Sequence, residues 1–362
     1  MSIEILELKS KALSGNPLGD PSTRRVPVYL PPSYPEKRYP VYVLLAGFTG
    51  TGESHLQRGP WQEPIQDRLD RLIRSGAMRE SIVVMPDPFT RYGGSQYLNS
   101  TATGRYEDHV TRELVPHVDK RYPTTGVRGV VGKSSGGYGA LVLAMRHPEL
   151  FQAVACHSGD LFFEYCYLPD FPKAQDIFRR HGGCARFLRA WEKMPKRLAG
   201  NLHAAVNTLA MASCYSPNPR SALGFDLPFD EATGALRPEV WRRWKAWDPV
   251  EMLDRHAAAL RKARLVYLDC GTRDQFGLHH GARIFAAKAR ALGVKLRHEE
   301  FEDDHSGLSY RYDRSLPLLA AALQRNSHSL SLRAAKGSGT FAAPSGGSGS
   351  PRRRARGGTR RG

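Results

Sequence analysis

The chain lacks any run of about 20 consecutive apolar residues, the length that a membrane-spanning helix needs. Its first eight residues have neither the basic start nor the apolar core of a secretory signal peptide. They alternate apolar and polar side chains instead, which is typical of a β-strand. We therefore expect a cytoplasmic protein without a membrane span.

Cysteine is scarce, with five residues in a chain of 362, and no two of them form a C-x-x-C pair. Closely spaced C-x-x-C pairs are typical of zinc sites and of redox-active dithiols. The scatter favours reduced thiols in a cytoplasmic enzyme. The five cysteines are Cys156, Cys166, Cys184, Cys214 and Cys270.

Acidic residues are outnumbered by basic ones, 35 against 53, and the formal net charge is +18. From Arg333 to the end the chain has eight basic residues and no acidic ones. The Gly/Ser/Arg-rich composition of residues 329–362 predicts a disordered tail, because such a segment buries too little apolar surface to fold. This tail is either a dispensable extension or a nonspecific contact for a polyanion such as RNA, DNA or acidic lipid.

The most informative stretch is Gly-Lys-Ser-Ser-Gly-Gly at residues 132–137. An apolar run that predicts a buried strand precedes it, and a run of small and apolar residues that predicts a helix follows it. A G-x-S-x-G sequence between a strand and a helix is typical of a nucleophile elbow. Side chains at Gly132 and Gly136 would collide with neighbouring backbone in so sharp a turn. The motif therefore predicts Ser134 as a nucleophile at a helix N-terminus, where negative charge is favoured.

A serine nucleophile needs a base, and the base needs an orienting carboxylate. On this kind of scaffold the acid and then the histidine follow the serine along the chain. A strand predicted over residues 263–271 is followed by Asp274, and a strand predicted over residues 295–301 is followed by His305. Both residues come after the carboxyl ends of predicted parallel strands, where open α/β sheets place ligands. We expect Asp274 to be the acid and His305 the base.

Other residues compete for these two roles. Asp269 is the second candidate for the acid, but it lies inside an apolar run and is interpreted as a buried, hydrogen-bonded carboxylate. Asp303 and Asp304 are too close to His305 in sequence to orient its ring and are interpreted as a solvated turn. His157 directly follows a predicted strand and is expected to line the pocket. The remaining candidates for the base are His279, His280 and His298.

An oxyanion hole needs two backbone N–H donors, one of them from the residue after the nucleophile, here Ser135. The second comes from the loop after an early strand. Residues 40–46 predict that strand, and the glycine-rich loop 47–52 follows it. We expect the N–H of Phe48 to be the second donor and Gly47 to bind substrate. The loop is not expected to bind phosphate, because the Lys-Ser/Thr pair of a P-loop is missing.

Taken together, these residues resemble the esterase family of α/β hydrolases. That family includes esterase D (S-formylglutathione hydrolase), the enterochelin esterases and the antigen 85 mycolyltransferases. The resemblance covers about residues 20 to 325. It rests on segments 28–34, 41–50, 97–100, 104–108 and 114–119, on the elbow at 132–137, and on the loops of Asp274 and His305.

The resemblance implies an α/β-hydrolase fold, with a mostly parallel central sheet flanked by helices, and a reaction that needs no metal or cofactor. Two positions depart from the family pattern. Ala46 precedes Gly47 where members usually carry histidine, so any hydrogen bond from that histidine is lost. Ser135 follows the nucleophile where many members have methionine, and we expect it to act as a support.

About a hundred residues separate the strand that ends near residue 158 from the strand that precedes Asp274, far more than a crossover needs. We expect a core of residues 1–160 and 249–328 and an inserted helical cap, residues 161–248, over the Ser134 pocket. Helices are predicted within the cap over residues 177–187 and 197–211. Asp160 and Glu164, just beyond the strand, are expected to line the substrate pocket.

The sequence therefore predicts a serine esterase that hydrolyses a small carboxylic ester or thioester through an acyl-enzyme. One alternative is an acyltransferase in which an alcohol replaces water at the same triad. A second alternative is an inactive hydrolase-fold binding protein with a polyanion-binding tail. The pattern specifies neither the acyl and alcohol groups nor the oligomeric state.

Overall fold

A computed structural model of the chain describes residues 2–198 and 202–324. Eight strands form its central sheet: β1 Ser2–Lys9, β2 Thr23–Leu30, β3 Tyr39–Leu45, β4 Ile82–Val84, β5 Thr124–Lys133, β6 Ala153–His157, β7 Leu265–Gly271 and β8 Arg297–Phe301. Their spatial order is β1-β2-β4-β3-β5-β6-β7-β8. β2 is antiparallel to both β1 and β4, and the other neighbours are parallel. The carboxyl ends of six strands, β3 to β8, therefore meet at one edge.

Helices cover both faces of this sheet, and further helices lie in the insertion between β6 and β7. They are α1 Ile65–Arg74, α2 Tyr106–Asp108, α3 Val115–Arg121, α4 Ser135–Arg146, α5 Phe163–Cys166, α6 Phe171–Arg180, α7 Cys184–Trp191, α8 His203–Tyr215, α9 Pro238–Lys245, α10 Pro249–Lys262, α11 Leu278–Ala291 and α12 Tyr312–Gln324. α1 and α12 pack on one face, and α4, α10 and α11 on the other. The central strands are buried on both faces, which explains their nearly continuous apolar sequences.

The cap residues contain helices α5 to α9. Aromatic rings hold these helices together: Phe163 lies 4.7 Å from Tyr167, and Trp244 lies 5.3 Å from Tyr215 and 5.4 Å from Phe171, measured between ring centroids. Most aromatic side chains of the insertion therefore form its core. α10 packs on α4 and α11 instead. The described residues belong to one compact unit that ends at Gln324, so the separate cap domain stays a prediction.

Two expected helices have different bounds in the structure. The helix expected over 177–187 is interrupted between α6 and α7, because Gly182 and Gly183 adopt φ angles of 75° and 110° that other residues disfavour. The helix expected over 197–211 begins only at His203 and extends to Tyr215. The predicted disordered tail, residues 329–362, lies outside the described residues.

All five cysteines are buried free thiols. Cys156 and Cys270 lie in the sheet. The other three lie in the cap, at Cys166, Cys184 and Cys214. Within residues 2–198 and 202–324, none of the helices is both long enough and apolar enough to cross a membrane.

Candidate active site

Ser134 lies at the turn between β5 and α4, with φ 59° and ψ −129°. A positive φ is strained for a serine and is maintained by the surrounding backbone. A Cβ atom on Gly132 would lie 2.4 Å from the backbone of Gly136, and a Cβ on Gly136 would lie 2.2 Å from the carbonyl oxygen of Leu45. Both positions therefore require glycine, and the tight turn presents the Ser134 hydroxyl at the start of α4.

The three residues expected to form the triad lie together at the carboxyl edge of the sheet. His305 Nε2 is 3.0 Å from Ser134 Oγ, and His305 Nδ1 is 2.7 Å from Asp274 Oδ2. The N–H of Phe276 donates to Asp274 Oδ1 over 2.9 Å, and the N–H of His305 donates to Gln275 Oε1 over 3.0 Å. The loop after β7 thus holds both the carboxylate and the backbone that carries the imidazole.

Asp269, the competing acid, is itself fully buried and belongs to a different cluster. Its Oδ1 lies 2.7 Å from His157 Nδ1, and its Oδ2 accepts hydrogen bonds from Tyr267 and Arg311. His157 Nε2 lies 2.8 Å from the hydroxyl of Ser315 on α12. Burial by itself would raise the pKa of Asp269, but His157, Arg311 and Tyr267 together hold that pKa below its usual value.

His157 does not line the pocket, so that expectation is wrong. As the last residue of β6, it is only 1% exposed and its ring is held between Asp269 and Ser315. Asp269, His157 and Ser315 therefore form a second Asp–His–Ser arrangement, but its serine is buried and out of reach of a substrate.

The two expected oxyanion donors lie beside Ser134. Phe48 and Ser135 both line the cavity that opens at Ser134, and neither backbone N–H has a hydrogen-bond partner within the described part of the chain. The loop around Phe48 is fixed by its neighbours: the N–H of Thr49 donates to the carbonyl of Gly93 over 2.8 Å. The Tyr97 hydroxyl donates to the carbonyl of Ala46 over 2.8 Å, and this contact anchors the residue that precedes Gly47.

The cavity at Ser134 has a volume of about 410 Å³. Among the residues that line it are Gly47, Lys133, Asp160, His203 and Phe276. The structure thus brings two of the three expected substrate-binding residues, Gly47 and Asp160, to the pocket.

The third expected residue, Glu164, does not reach the pocket. It lies on the short helix α5, and its carboxylate is 2.6 Å from the ammonium group of Lys245 on α9. The placement of Glu164 in the pocket is therefore wrong, because this ion pair within the cap holds its side chain elsewhere.

Lys133, His203 and Phe276 also line the pocket, and none of them was predicted from the sequence. Lys133 precedes the nucleophile in the elbow, so the motif itself could have identified it. Burial lowers the pKa of Lys133, while the charges of Asp274 and Asp160 act in the opposite direction. Burial also lowers the pKa of His203. No motif marks His203, because its place depends on how the cap folds over the sheet.

A second pocket, of about 780 Å³, adjoins the first. Phe276 and His203 line both pockets, and the centroids of their rings are 5.4 Å apart. The Phe276 ring also packs edge-on against His305, with 4.9 Å between centroids. This aromatic pair therefore separates the two pockets next to the imidazole.

Asp160 is held by a buried hydrogen-bond network. Its Oδ2 accepts from Ser135 Oγ over 3.1 Å, from Tyr167 over 2.9 Å and from Gln96 over 3.2 Å. Gln96 also donates to the Tyr215 hydroxyl over 2.9 Å. Burial raises the pKa of Asp160, and the three hydrogen bonds to its carboxylate oppose that rise.

The strand order, the parallel core and the elbow before α4 define an α/β-hydrolase fold. The sequence model of the Putative esterase family matches residues 21–310, and the chain belongs to this family. The family resemblance and the fold class that the sequence suggested are both confirmed.

Solved structures with the same fold cover most of the chain. A ferulic acid esterase is 22% identical, covers 89% of this chain and 98% of its own, and has a TM-score of 0.58. An S-formylglutathione hydrolase from Agrobacterium tumefaciens is 17% identical over 89% of this chain and 95% of its own, with a TM-score of 0.55. MPT51 (FbpC1) of Mycobacterium tuberculosis is 17% identical over 90% of this chain and 100% of its own, with a TM-score of 0.52.

Proposed function

We propose that this chain is a serine hydrolase that cleaves a carboxylic ester or thioester through Ser134. The observation that carries the proposal is the continuous chain of contacts from Asp274 through His305 to the Ser134 hydroxyl, which ends at an open cavity. A serine hydroxyl becomes a useful nucleophile when a histidine accepts its proton. The elbow, the base and the acid come from three separate loops, and this fold gathers them at one edge.

The reaction proceeds in two halves. His305 takes the proton of Ser134 as the hydroxyl attacks the carbonyl carbon, and then gives it to the departing alcohol or thiol. Asp274 orients the imidazole and stabilises its positive charge. A water molecule next attacks the acyl-enzyme with His305 again as the base, which releases the acid and restores Ser134.

Negative charge develops on the carbonyl oxygen during both halves. Phe48 and Ser135 both line the cavity, and their backbone N–H groups have no hydrogen-bond partner among the described residues, so these groups are suited to bind this oxygen. The start of α4 adds a favourable positive potential at the same place.

The pocket dimensions favour a small-molecule ester. The two adjoining pockets would receive the acyl part and the leaving group on the two sides of the Phe276–His203 pair. The second pocket also gives room for an alcohol acceptor in place of water, so acyl transfer is the second candidate function. Product analysis with and without added alcohols distinguishes transfer from hydrolysis.

We further infer a cytoplasmic location, which the five free thiols support. We also retain the proposal that the basic tail contacts polyanions without sequence preference. Neither proposal alters the chemistry at Ser134.

A fluorophosphonate probe tests the proposed nucleophile. We expect one labelled residue, Ser134, and loss of both labelling and ester turnover in Ser134→Ala. Ser315→Ala is the matched control, because Ser315 also contacts a histidine but is buried, and we expect labelling equal to that of the wild type. A probe adduct on Ser135 or Ser315, found by peptide mapping, would refute the assignment.

A further inference from the structure

The two carboxylate oxygens of Asp160 have different surroundings. Oδ2 accepts all three hydrogen bonds that reach this side chain, from Ser135, Tyr167 and Gln96. Oδ1 has no hydrogen-bond partner among the described residues. It is also not completely buried, so a small molecule in the cavity can reach it. Asp160 is only 7% exposed, yet it lines the Ser134 cavity. Oδ1 is therefore the part of a rigidly held carboxylate that remains open to the pocket.

A network built only to stabilise the fold would use both oxygens. A buried carboxylate is costly unless its lone pairs are satisfied, and here one oxygen depends on whatever occupies the pocket. The three donors also fix the orientation of the group, since Gln96 and Tyr167 are themselves held by Tyr215. Such a fixed acceptor is suited to select a hydrogen-bond donor on a ligand.

The position of Asp160 places that donor close to the reacting bond. The carboxylate contacts the side chain of Ser135, which directly follows the nucleophile. A substrate group that donates to Oδ1 is therefore attached close to the scissile carbonyl, because the same cavity holds Ser134.

The charge of the pocket favours a neutral donor over a cationic one. Lys133 lines the same cavity, so a substrate ammonium group would meet a like charge there. His203 and His55 also line it, and burial lowers the pKa of both, that of His55 to about 4. Their neutral rings neither attract nor repel a cation, so the nearby Lys133 is the charge that acts against an ammonium group. A hydroxyl group donates to Oδ1 without this repulsion.

We propose that Asp160 Oδ1 accepts a hydrogen bond from a substrate hydroxyl near the scissile bond, so that the preferred substrates are hydroxy-substituted esters. This inference rests on the proposed ester hydrolysis and adds a substrate class to it. Asp160 acts in recognition, and the bond-making steps remain with Ser134 and His305.

The test compares isosteric esters that differ in one group. Ethyl 3-hydroxybutyrate against ethyl 3-methylbutyrate examines the acyl side, and 2-hydroxyethyl butyrate against propyl butyrate examines the alcohol side. A hydrogen bond to a charged group corresponds to about a tenfold or larger preference. We expect wild-type kcat/KM to favour the hydroxylated ester by about tenfold in at least one pair.

Asp160→Asn keeps the shape of the side chain and removes its charge. We expect the hydroxyl preference to fall by about tenfold in this variant, with less change in turnover of the apolar esters. Glu164→Gln is the matched control, because it makes the same chemical change four residues later, outside the pocket. It should retain the wild-type preference.

Several results would overturn the inference. These are equal wild-type rates within both pairs, an unchanged preference in Asp160→Asn, or a stronger preference for ethyl 3-aminobutyrate than for the hydroxy ester. If Asp160→Asn does not fold, the wild-type ratios decide alone. Hydrolysis of the apolar esters with no hydroxyl preference rejects only this inference. No hydrolysis of any ester, with no labelling of Ser134, rejects the proposed function and this inference with it.

Discussion

Two buried aspartates, Asp274 and Asp269, contact histidines, and we expect the first to act in catalysis and the second to stabilise the fold. Asp274→Asn should lower turnover by about 10³- to 10⁴-fold, because the amide no longer holds the imidazole tautomer, while the fold is kept. Asp269→Asn should instead lower the free energy of unfolding by about 3 kcal/mol, because Arg311 and His157 lose a buried partner. Ester turnover and urea unfolding of both variants are the measurements. The reverse pattern would assign the acid role to Asp269.

The stabilising effect of Asp269 should depend on pH. Its pKa is lower in the folded chain than its ordinary value near 3.8, so folding favours the ionised form. The contribution is complete above that ordinary value and is lost as the pH falls through the lower, folded pKa. The difference in stability between wild type and Asp269→Asn should therefore narrow on acidification below about pH 4. A constant difference between pH 7 and pH 3 would contradict this cause.

The sequence located the candidate triad because the elbow motif and the strand ends are local signals. Ser134, Asp274 and His305 each follow a recognisable strand, and parallel strands bring their carboxyl ends together. Glu164 and His157 were misplaced for the opposite reason. Their side chains are directed by Lys245 and Ser315, which lie 81 and 158 residues further along the chain and form no local pattern.

The turn from β5 to α4 should tolerate no side chain at its second glycine, Gly136. Gly136→Ala places a Cβ against the Leu45 carbonyl, which is backbone and cannot move aside. We expect this variant to lose about 3 kcal/mol of stability or more, and its ester turnover with it. Thermal unfolding and turnover measure both effects.

Gly94→Ala is the control for the elbow. Its nearest neighbour would be an edge atom of the Phe48 ring at 3.4 Å, and its backbone does not need a positive φ. We expect a stability change of less than about 1 kcal/mol. Equal losses in the two variants would mean that the close approach of Leu45 does not set the requirement for glycine.

The boundaries of helices and strands were also predictable only where a local sequence pattern marks them. The strands before the triad residues and the helix after the elbow were predicted within a few residues, since apolar runs and glycines mark them. The insertion was less predictable. Gly182 and Gly183 divide the helix expected at 177–187, and the start of α8 at His203 follows from its packing against α6.

The positive charge of the tail should not be needed for ester hydrolysis at Ser134. Truncation after Asn326 removes the basic tail but leaves every residue proposed for catalysis. We expect turnover of a small neutral ester to stay within about twofold, while retention on an anionic matrix weakens. Retention of the full chain should fall steeply with salt, because counterion release drives such binding. Loss of ester turnover on truncation would make the tail part of the active site.

Modification of the buried cysteines can report which part of the protein unfolds first. Cys156 and Cys270 lie in the sheet, whereas Cys166, Cys184 and Cys214 lie in the insertion, and burial raises the pKa of all five thiols. A thiol reagent modifies each one only after the surrounding structure opens. If the insertion unfolds as an independent unit, its three cysteines should react first under mild denaturant. A single rate for all five, followed by mass spectrometry, would mean that sheet and insertion unfold together.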